Sequence, residues 1–157
     1  MHSLMLQVER EKIDEADYIT GDDFYDADYK NHFAVIADYT VELSDKARKE
    51  TLKRFNEYPG LRVEDDKVTV VSKLEFFEWA YLKFTKKLGE LAKNMSREVF
   101  ASSKFYFEFY ELKSAYSDEY GIWVYSNDYG TMPIDEFIRE LKDGDSFYVG
   151  QILDYHY

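Results

Sequence analysis

Residues 72–99, with the sequence SKLEFFEWAYLKFTKKLGELAKNMSREV, carry the longest periodic pattern in the chain. Seven apolar residues recur in it at alternating steps of three and four, which places them on one side of an α-helix. These residues are Leu74, Phe77, Tyr81, Phe84, Leu88, Leu91 and Met95. At the start, Ser72 and Glu75 match the S-x-x-E capping box, in which the serine side chain accepts from a first-turn amide. The stretch therefore predicts one long amphipathic helix, in which Gly89 costs about 1 kcal/mol relative to alanine unless close packing requires it.

The residues before this helix predict strands and one short helix. Residues 1–8 alternate with Leu4, Leu6 and Val8 on one face, which indicates an edge or partner strand, and the β-rich run 32–43 indicates a central strand. Residues 9–30 indicate an exposed segment that is either an ordered loop or a set of short helical turns. A short helix follows Ser44 as N-cap and stops at Tyr58-Pro59-Gly60, and a strand pair over 61–63 and 68–71 comes next. Ala47, Leu52 and Phe55 form the apolar side of this helix, and Lys46, Arg48, Lys49, Lys53 and Arg54 its outer side.

The residues after the long helix predict two paired strands, a helix and a last strand. Phe105, Phe107 and Phe109 alternate with polar residues over 104–112, which predicts a half-buried strand forming a hairpin with residues 120–125. Pro133 suits the first turn of a helix that ends near Asp143-Gly144. Its buried side is Ile134, Phe137, Ile138 and Leu141. In the last strand, over 147–153, the alternation puts Phe147, Val149 and Gln151 on one face and Tyr148, Gly150 and Ile152 on the other.

This order of elements predicts a single α+β domain over residues 1–157. We expect a mainly antiparallel sheet of about five to seven strands, with the long helix packed on it and two shorter helices. The chain has no cysteine, and no apolar stretch approaches the roughly 18 residues of a membrane span. We therefore expect a soluble, cytoplasmic protein without disulfides.

No sequence pattern indicates catalysis, so we expect a non-enzyme without a cofactor. The three histidines, His2, His32 and His156, lie far apart in sequence, and no glycine-rich phosphate motif occurs. Residues 125–136 resemble a calcium loop only at positions three, six and twelve, because Tyr125 and Tyr129 occupy positions that need oxygen ligands. A pair of catalytic carboxylates cannot be found by counting among 32 acidic residues, so a carboxylate-based enzyme stays open as a minor alternative.

Charge is the most informative bulk property of the sequence. The net charge is −12, and it lies at the two ends. Residues 9–28 hold nine Asp or Glu against two Lys or Arg, a net of −7, and residues 118–157 hold the same numbers. The 89 residues between them, 29–117, therefore carry a net of only +2.

Acidic and aromatic residues together at both ends indicate a protein-binding surface. DNA presents one negative charge per about 1.7 Å of axis, and carboxylates three or four apart on a helical turn lie about 5–6 Å apart. Such a surface can occupy a basic groove, with tyrosines as flat anchors. The candidate partner-binding residues are Asp14, Glu15, Asp17, Tyr18, Asp22, Asp23, Tyr25, Asp26 and Asp28, with Asp118, Glu119 and Asp128 as a second set. The two sets share a face only if the two ends of the chain meet in space.

The expected function is inhibition of a nucleic-acid-handling enzyme by occupation of its basic groove. The expected partner is therefore a basic protein such as a nuclease. By analogy of size, charge and fold class, anti-CRISPR, antirestriction and nuclease-immunity proteins would be its functional counterparts. The alternative is a protein-interaction or oligomerisation module whose acidic ends only confer solubility. An exposed apolar patch without acids around it would favour that alternative. Direct nucleic-acid binding is disfavoured by the overall charge, although the basic helix over 46–54 leaves it open.

Overall fold

The computed structural model describes residues 2–24, 39–102, 106–116 and 121–156, which form a seven-stranded sheet and five α-helices. The strands are β1 (His2–Glu9), β2 (Tyr39–Glu42), β3 (Leu61–Glu64), β4 (Lys67–Val70), β5 (Ile122–Ser126), β6 (Gly130–Pro133) and β7 (Ser146–His156). The helices are α1 (Asp45–Arg54), α2 (Lys73–Asn94), α3 (Arg97–Ser102), α4 (Tyr106–Tyr116) and α5 (Ile134–Glu140). The strand order is β3-β4-β7-β1-β5-β6, and β2 also pairs with β7. Among these described strands, β1 and β5 form the one parallel pair. The predicted α+β fold with a mainly antiparallel sheet is confirmed.

β1 lies inside the sheet, between β7 and β5. Of the two positions predicted for it, it is a partner strand and not an edge strand. Its alternation separates two buried faces. Leu6 and Val8 join the main core with residues of α1, α5 and β7, whereas Met5 packs with Leu153 and Tyr155 on the opposite face. Both ends of the sequence thus contribute to the centre of the sheet.

β7 contains a bulge that the sequence did not predict. Leu6 pairs with Ile152 while Val8 pairs with Val149, so two steps along β1 match three steps along β7. The extra residue reverses the alternation. As a result Ile152 packs in the same core as Phe147 and Val149, and the prediction that it faces the other way is wrong.

α1 begins after Ser44, whose side chain accepts from the Ala47 amide, and buries Leu52 as predicted. The placement of Arg48 on the outer side is wrong, because only 8% of this residue is exposed. Its guanidinium donates to the carbonyls of Gly150 and Val149 at the bulge. Bulges leave carbonyls without ladder partners, and a buried cation can satisfy them. Of the predicted strand over 32–43, residues 39–42 form β2, which within the described part of the chain pairs with β7 alone; residues 32–38 lie outside the described residues.

α2 starts where the capping box predicts, with the Ser72 side chain accepting from the Glu75 amide at 3.2 Å. It ends at Asn94 rather than continuing to Val99, because Ser96 caps a new helix, α3, by accepting from the Val99 amide at 3.2 Å. Apart from its first turn, where Phe76 and Phe77 touch the main core, α2 packs on α4 and not on the sheet. The expected packing of this helix on the sheet is therefore wrong. We call α2, α3 and α4 the helical arm.

The strand predicted over 104–112 is wrong, because residues 106–116 form α4. The alternating phenylalanines misled the prediction: Phe107 and Phe109 are 67% and 57% exposed, and Phe105 lies outside the described residues. α4 runs antiparallel to α2, with Lys87 Nζ 2.6 Å from Glu111 Oε2 and the Phe84 ring centroid 5.9 Å from that of Tyr116. The hairpin predicted for 104–112 with 120–125 is also wrong, since β5 forms its hairpin with β6 and lies parallel to β1.

The base of the helical arm is fixed to α5 and to the residues that follow it. Lys73 donates its amide to Asp143 Oδ1 at 2.8 Å and its ammonium to the Leu141 carbonyl at 2.6 Å. The Arg139 guanidinium lies 4.5 Å from the Phe77 ring centroid and 4.8 Å from that of Tyr116, so it bridges α2 and α4 by cation–π contacts. Arg139 also donates to Asp135 at 2.8 Å.

α5 follows Pro133 and buries Phe137 and Ile138, as predicted, although it ends at Glu140 instead of near Asp143-Gly144. Within α5, Asp135 is partly buried and its Oδ1 has no hydrogen-bond partner. Burial raises the pKa of Asp135, and the nearby Arg139 only partly opposes this.

Candidate acidic interface

A buried glutamine fixes the first acidic segment to the sheet. Gln7 in β1 is 4% exposed and donates from Nε2 to the Asp17 carbonyl at 2.8 Å. Its Oε1 accepts from the amides of Ile19 at 3.1 Å and of Gln151, in the β7 bulge, at 3.2 Å. A polar side chain at this depth is stable only when its hydrogen bonds are made. Gln7 thus holds residues 17–19 against the bulge.

Tyr18 and Gly150 complete this attachment. The Tyr18 ring is half-buried, and the Arg48 guanidinium lies 5.5 Å from its centroid. Gly150 leaves room for the glutamine, because a Cβ there would lie 2.5 Å from Gln7 Oε1 and 2.8 Å from Ile13 Cδ1. Tyr18 therefore already has a partner within this chain, and its role in binding another protein stays a prediction.

The turn between β5 and β6 is positioned by the end of β1. Glu9 accepts from the Asn127 amide at 2.9 Å, and the Ser126 hydroxyl accepts from the Asp128 amide at 3.2 Å. Parallel pairing of β1 with β5 brings these residues together although more than a hundred positions separate them in sequence. The first acidic segment and the Asp128 turn therefore lie side by side.

An open groove of about 680 Å³ runs between them. The predicted residues Asp14 and Asp17 line it from the first segment, and Asp128 lines it from the second. Its other lining residues are Gln7, Glu9, Arg10, Glu11, Lys12, Ile13 and Asn127. The condition set by the sequence, that the two ends meet in space, is fulfilled for these three aspartates.

The charge of the groove is negative. Its lining residues include five carboxylates against Arg10 and Lys12. Lys12 lies 4.0 Å from Asp66, outside the groove lining, and Arg10 donates to the Tyr129 hydroxyl, a hydrogen bond that raises the pKa of Arg10. Among the described residues, Asp14, Asp17 and Asp128 form no ion pair. Their charge is thus open to a partner.

The remaining described acids of the predicted set lie apart from the groove lining. Glu15 is exposed in the 3-10 turn Glu15–Asp17. Asp22 and Asp23 are exposed in a second turn, Gly21–Phe24. This turn is held to β2 by the Gly21 amide, which donates to Glu42 Oε1 at 2.7 Å. Asp23 accepts from the Thr20 amide at 2.7 Å. Tyr25, Asp26, Asp28, Asp118 and Glu119 lie outside the described residues.

Sequence reasoning missed Gln7, Glu9 and Asn127. A signal existed for Gln7 alone, since it is the one amide within the apolar run of β1 and a buried strand seldom carries one without a specific partner. Glu9 and Asn127 became recognisable only once the β1–β5 pairing was known. Within the described ranges no cluster of three His, Asp or Glu residues is arranged to hold a metal ion.

Comparisons with protein-family models, curated proteins and solved structures return no match for this chain. None of the helices in the described ranges combines the length and the apolar character needed to cross a membrane.

Proposed function

We propose that this protein is a binding protein that places its acidic groove against a basic surface of another protein, most simply the nucleic-acid groove of a nuclease or related enzyme. The observation that carries the proposal is the meeting of Asp14 and Asp17 with Asp128 in one exposed groove. Binding would block access of nucleic acid and inhibit the enzyme. No catalytic step is part of the proposal.

Two physical arguments support it. Five carboxylates against Arg10 and Lys12 leave the groove with a net negative charge, and a basic partner relieves the repulsion among them on binding. The same charges attract a basic partner over distance, which raises the association rate at low salt. Lysine- and arginine-lined grooves of nucleic-acid enzymes provide the complementary charge.

The segment is also held in place before binding. Gln7 and the β7 bulge fix residues 17–19, and Glu9 fixes the turn that carries Asp128. A preorganised surface loses less conformational entropy when a partner binds. This favours a specific contact over a charged segment that only confers solubility.

The test is affinity capture from host lysate with the full chain, followed by mass spectrometry, salt elution and competition with duplex DNA. Capture of a nucleic-acid enzyme, its release by DNA, and inhibition of its purified form would support the proposal. In the triple variant Asp14→Asn, Asp17→Asn and Asp128→Asn we expect the affinity to fall at least tenfold, mainly through a slower association rate.

The matched control removes three carboxylates elsewhere, with Glu50→Gln, Glu57→Gln and Glu64→Gln. All three are exposed on α1, the turn after it and β3, and the change in net charge is the same. Equal losses in both variants would show that only total charge matters, and would overturn the proposed site. Capture of no DNA-displaceable enzyme would overturn the proposed function.

A further inference from the structure

The helical arm exposes far more apolar surface than the rest of the protein. Ten of its large apolar side chains are between 45% and 85% exposed. These are Leu74, Trp79, Tyr81, Leu82, Leu88, Phe100, Tyr106, Phe107, Phe109 and Tyr116. At roughly 150–250 Å² for each aromatic side chain, they leave about 1,000 Å² of apolar surface on the arm. This area is a sum over the whole arm, against about 300–600 Å² for the largest single patch of a typical monomer.

The pattern of this exposure indicates that the missing contact is another helix. Phe77, Phe84 and Leu91 recur every seven residues and are half-buried on the side of α2 that includes the contacts to α4. Leu74, Tyr81 and Leu88 form a second series with the same spacing, and all three are exposed. Two such series make up the seam of a coiled coil. α2 therefore has one series covered within the chain and one series uncovered.

The charge of the arm favours a second copy of this chain as the partner. Residues 72–116 hold eight Lys or Arg against six Glu, a net of +2, whereas the remaining residues carry a net of −14. A nearly neutral arm does not repel its own copy. It also lacks the strong basic excess that binding to nucleic acid or to an anionic membrane requires.

We propose that two copies of this protein associate through their arms, with the two α2 helices antiparallel and Tyr81 near the twofold axis. The whole arm exposes about 1,000 Å² of apolar surface, against the roughly 800 Å² that each partner contributes to a standard interface, and Leu74, Tyr81 and Leu88 supply the part of it on the paired face. Antiparallel pairing sets the two acidic bodies at opposite ends of a helix about 33 Å long, well beyond the Debye length of about 8 Å at physiological salt. Parallel pairing would bring the two bodies together.

The pairing is independent of the acidic groove and uses none of its residues. An antiparallel arrangement also places Leu74 of one copy beside Leu88 of its partner, and Glu75 and Glu78 near the lysines at 83–87 of the other copy. Both the apolar series and the charges then complement each other around one symmetric contact.

The test begins with sedimentation of the full chain from low to high micromolar concentration. We expect a monomer–dimer equilibrium, and we expect Tyr81→Lys with Leu88→Lys to weaken the dimer at least tenfold while circular dichroism keeps the fold. The control is Val41→Lys, since Val41 is 39% exposed on β2, outside the arm. A wild-type chain that stays monomeric throughout would overturn the proposal.

Cysteine cross-linking tests the orientation, because the chain has no cysteine of its own. Under mild oxidation Tyr81→Cys should form a covalent dimer, since the Cα atoms at the axis lie within the roughly 7 Å that a disulfide spans. Leu74→Cys should cross-link only when mixed with Leu88→Cys. A covalent dimer of Leu74→Cys alone would contradict the antiparallel arrangement.

Flotation with phosphatidylglycerol vesicles tests a lipid surface as the occupant instead. We expect the chain to stay at the bottom of the gradient and not to rise with the vesicles. Flotation of a chain that does not dimerise would assign the arm to a membrane surface and overturn the proposed pairing.

Discussion

Gln7 shows how a single side chain determines where the acidic segment lies. It is buried, and its three hydrogen bonds join β1 to two other parts of the chain. The carbonyl of Asp17 and the amide of Ile19 belong to the first acidic segment, and the amide of Gln151 belongs to the β7 bulge. A helix or strand pattern does not predict such a role. The position of the first acidic segment thus depends on a residue that carries no charge.

Replacing Gln7 with alanine should destabilise the fold by about 3 kcal/mol, because buried backbone groups lose their partners. Urea unfolding measures the loss, and faster hydrogen exchange at residues 17–19 should accompany it. The control is Asn56→Ala, where the exposed Asn56 side chain accepts one hydrogen bond from the Val63 amide, and a cost of about 1 kcal/mol is expected. Equal costs for the two variants would contradict the anchoring role of Gln7.

Asp135 gives a prediction about pH. Its pKa in the folded protein is raised above 3.8 by burial, so the folded state binds the proton more readily than the unfolded state. The ionised form therefore lowers stability, an effect that is absent below the unfolded pKa and develops as pH rises through the folded pKa. In Asp135→Asn we expect this pH-dependent loss of stability to disappear.

Urea midpoints measured between pH 4 and pH 7 check this prediction. The difference between Asp135→Asn and the wild type should increase with pH. The control is Glu140→Gln, which removes an exposed carboxylate of α5 that does not contribute to the shift and should run parallel to the wild type. A parallel profile for Asp135→Asn would contradict the sign of the shift.

At the scale of elements, the helices and strands differ in how far the sequence predicts them. Ser72 and Ser44 mark two helix starts correctly because capping is a local interaction. Phe107 and Phe109 mislead because an alternating pattern indicates a strand only if one face is buried, and residues 106–110 are exposed on both faces of the pattern. Arg48 and the β7 bulge depend on contacts with distant residues, so no local pattern reports them.

Gly60, which lies against the start of α2, and Gly89, within α2, should respond to alanine in opposite ways. Gly60 has φ +78°, and a Cβ there would lie 2.0 Å from the Ser72 carbonyl oxygen, so Gly60→Ala should cost more than about 1 kcal/mol and disturb the start of α2. A Cβ at Gly89 would meet nothing within 4 Å, so no packing requires that glycine. Gly89→Ala should stabilise α2 by up to about 1 kcal/mol.

Thermal unfolding followed by circular dichroism at 222 nm compares the two glycine variants. Destabilisation by Gly89→Ala would indicate that a partner helix packs closely against this position. Combining Gly89→Ala with Tyr81→Lys and Leu88→Lys would show whether that helix belongs to a second copy.

At the scale of the whole molecule, charge divides the protein into a nearly neutral arm and an acidic body. The sequence alone indicates this division, since residues 72–116 carry a net charge of +2 in a chain whose net charge is −12. Its spatial form is not, because the groove requires the parallel pairing of β1 with β5 and the arm requires α4 to be a helix. The bulk charges were therefore predictable and the surfaces were not.

The two proposed contacts should depend on salt in opposite directions. Raising NaCl from about 50 to 500 mM should weaken binding through the acidic groove, because the attraction is screened. Self-association through the arm should hold or tighten, because salt screens the repulsion between the acidic bodies. Sedimentation and the release of captured partner at both concentrations measure the two effects. Loss of both contacts with salt would mean that ion pairs dominate the arm as well.

The parallel pairing of β1 with β5 also has a consequence for synthesis on the ribosome. β1 ends at Glu9, whereas its two neighbours begin at Ile122 and Ser146. At about 5–20 residues per second, the first strand waits roughly ten seconds for them. The arm, whose contacts are local, can form during that interval. Nascent chains on neighbouring ribosomes would then display their apolar helices before either has closed its sheet, so pairing between copies can precede folding of the body.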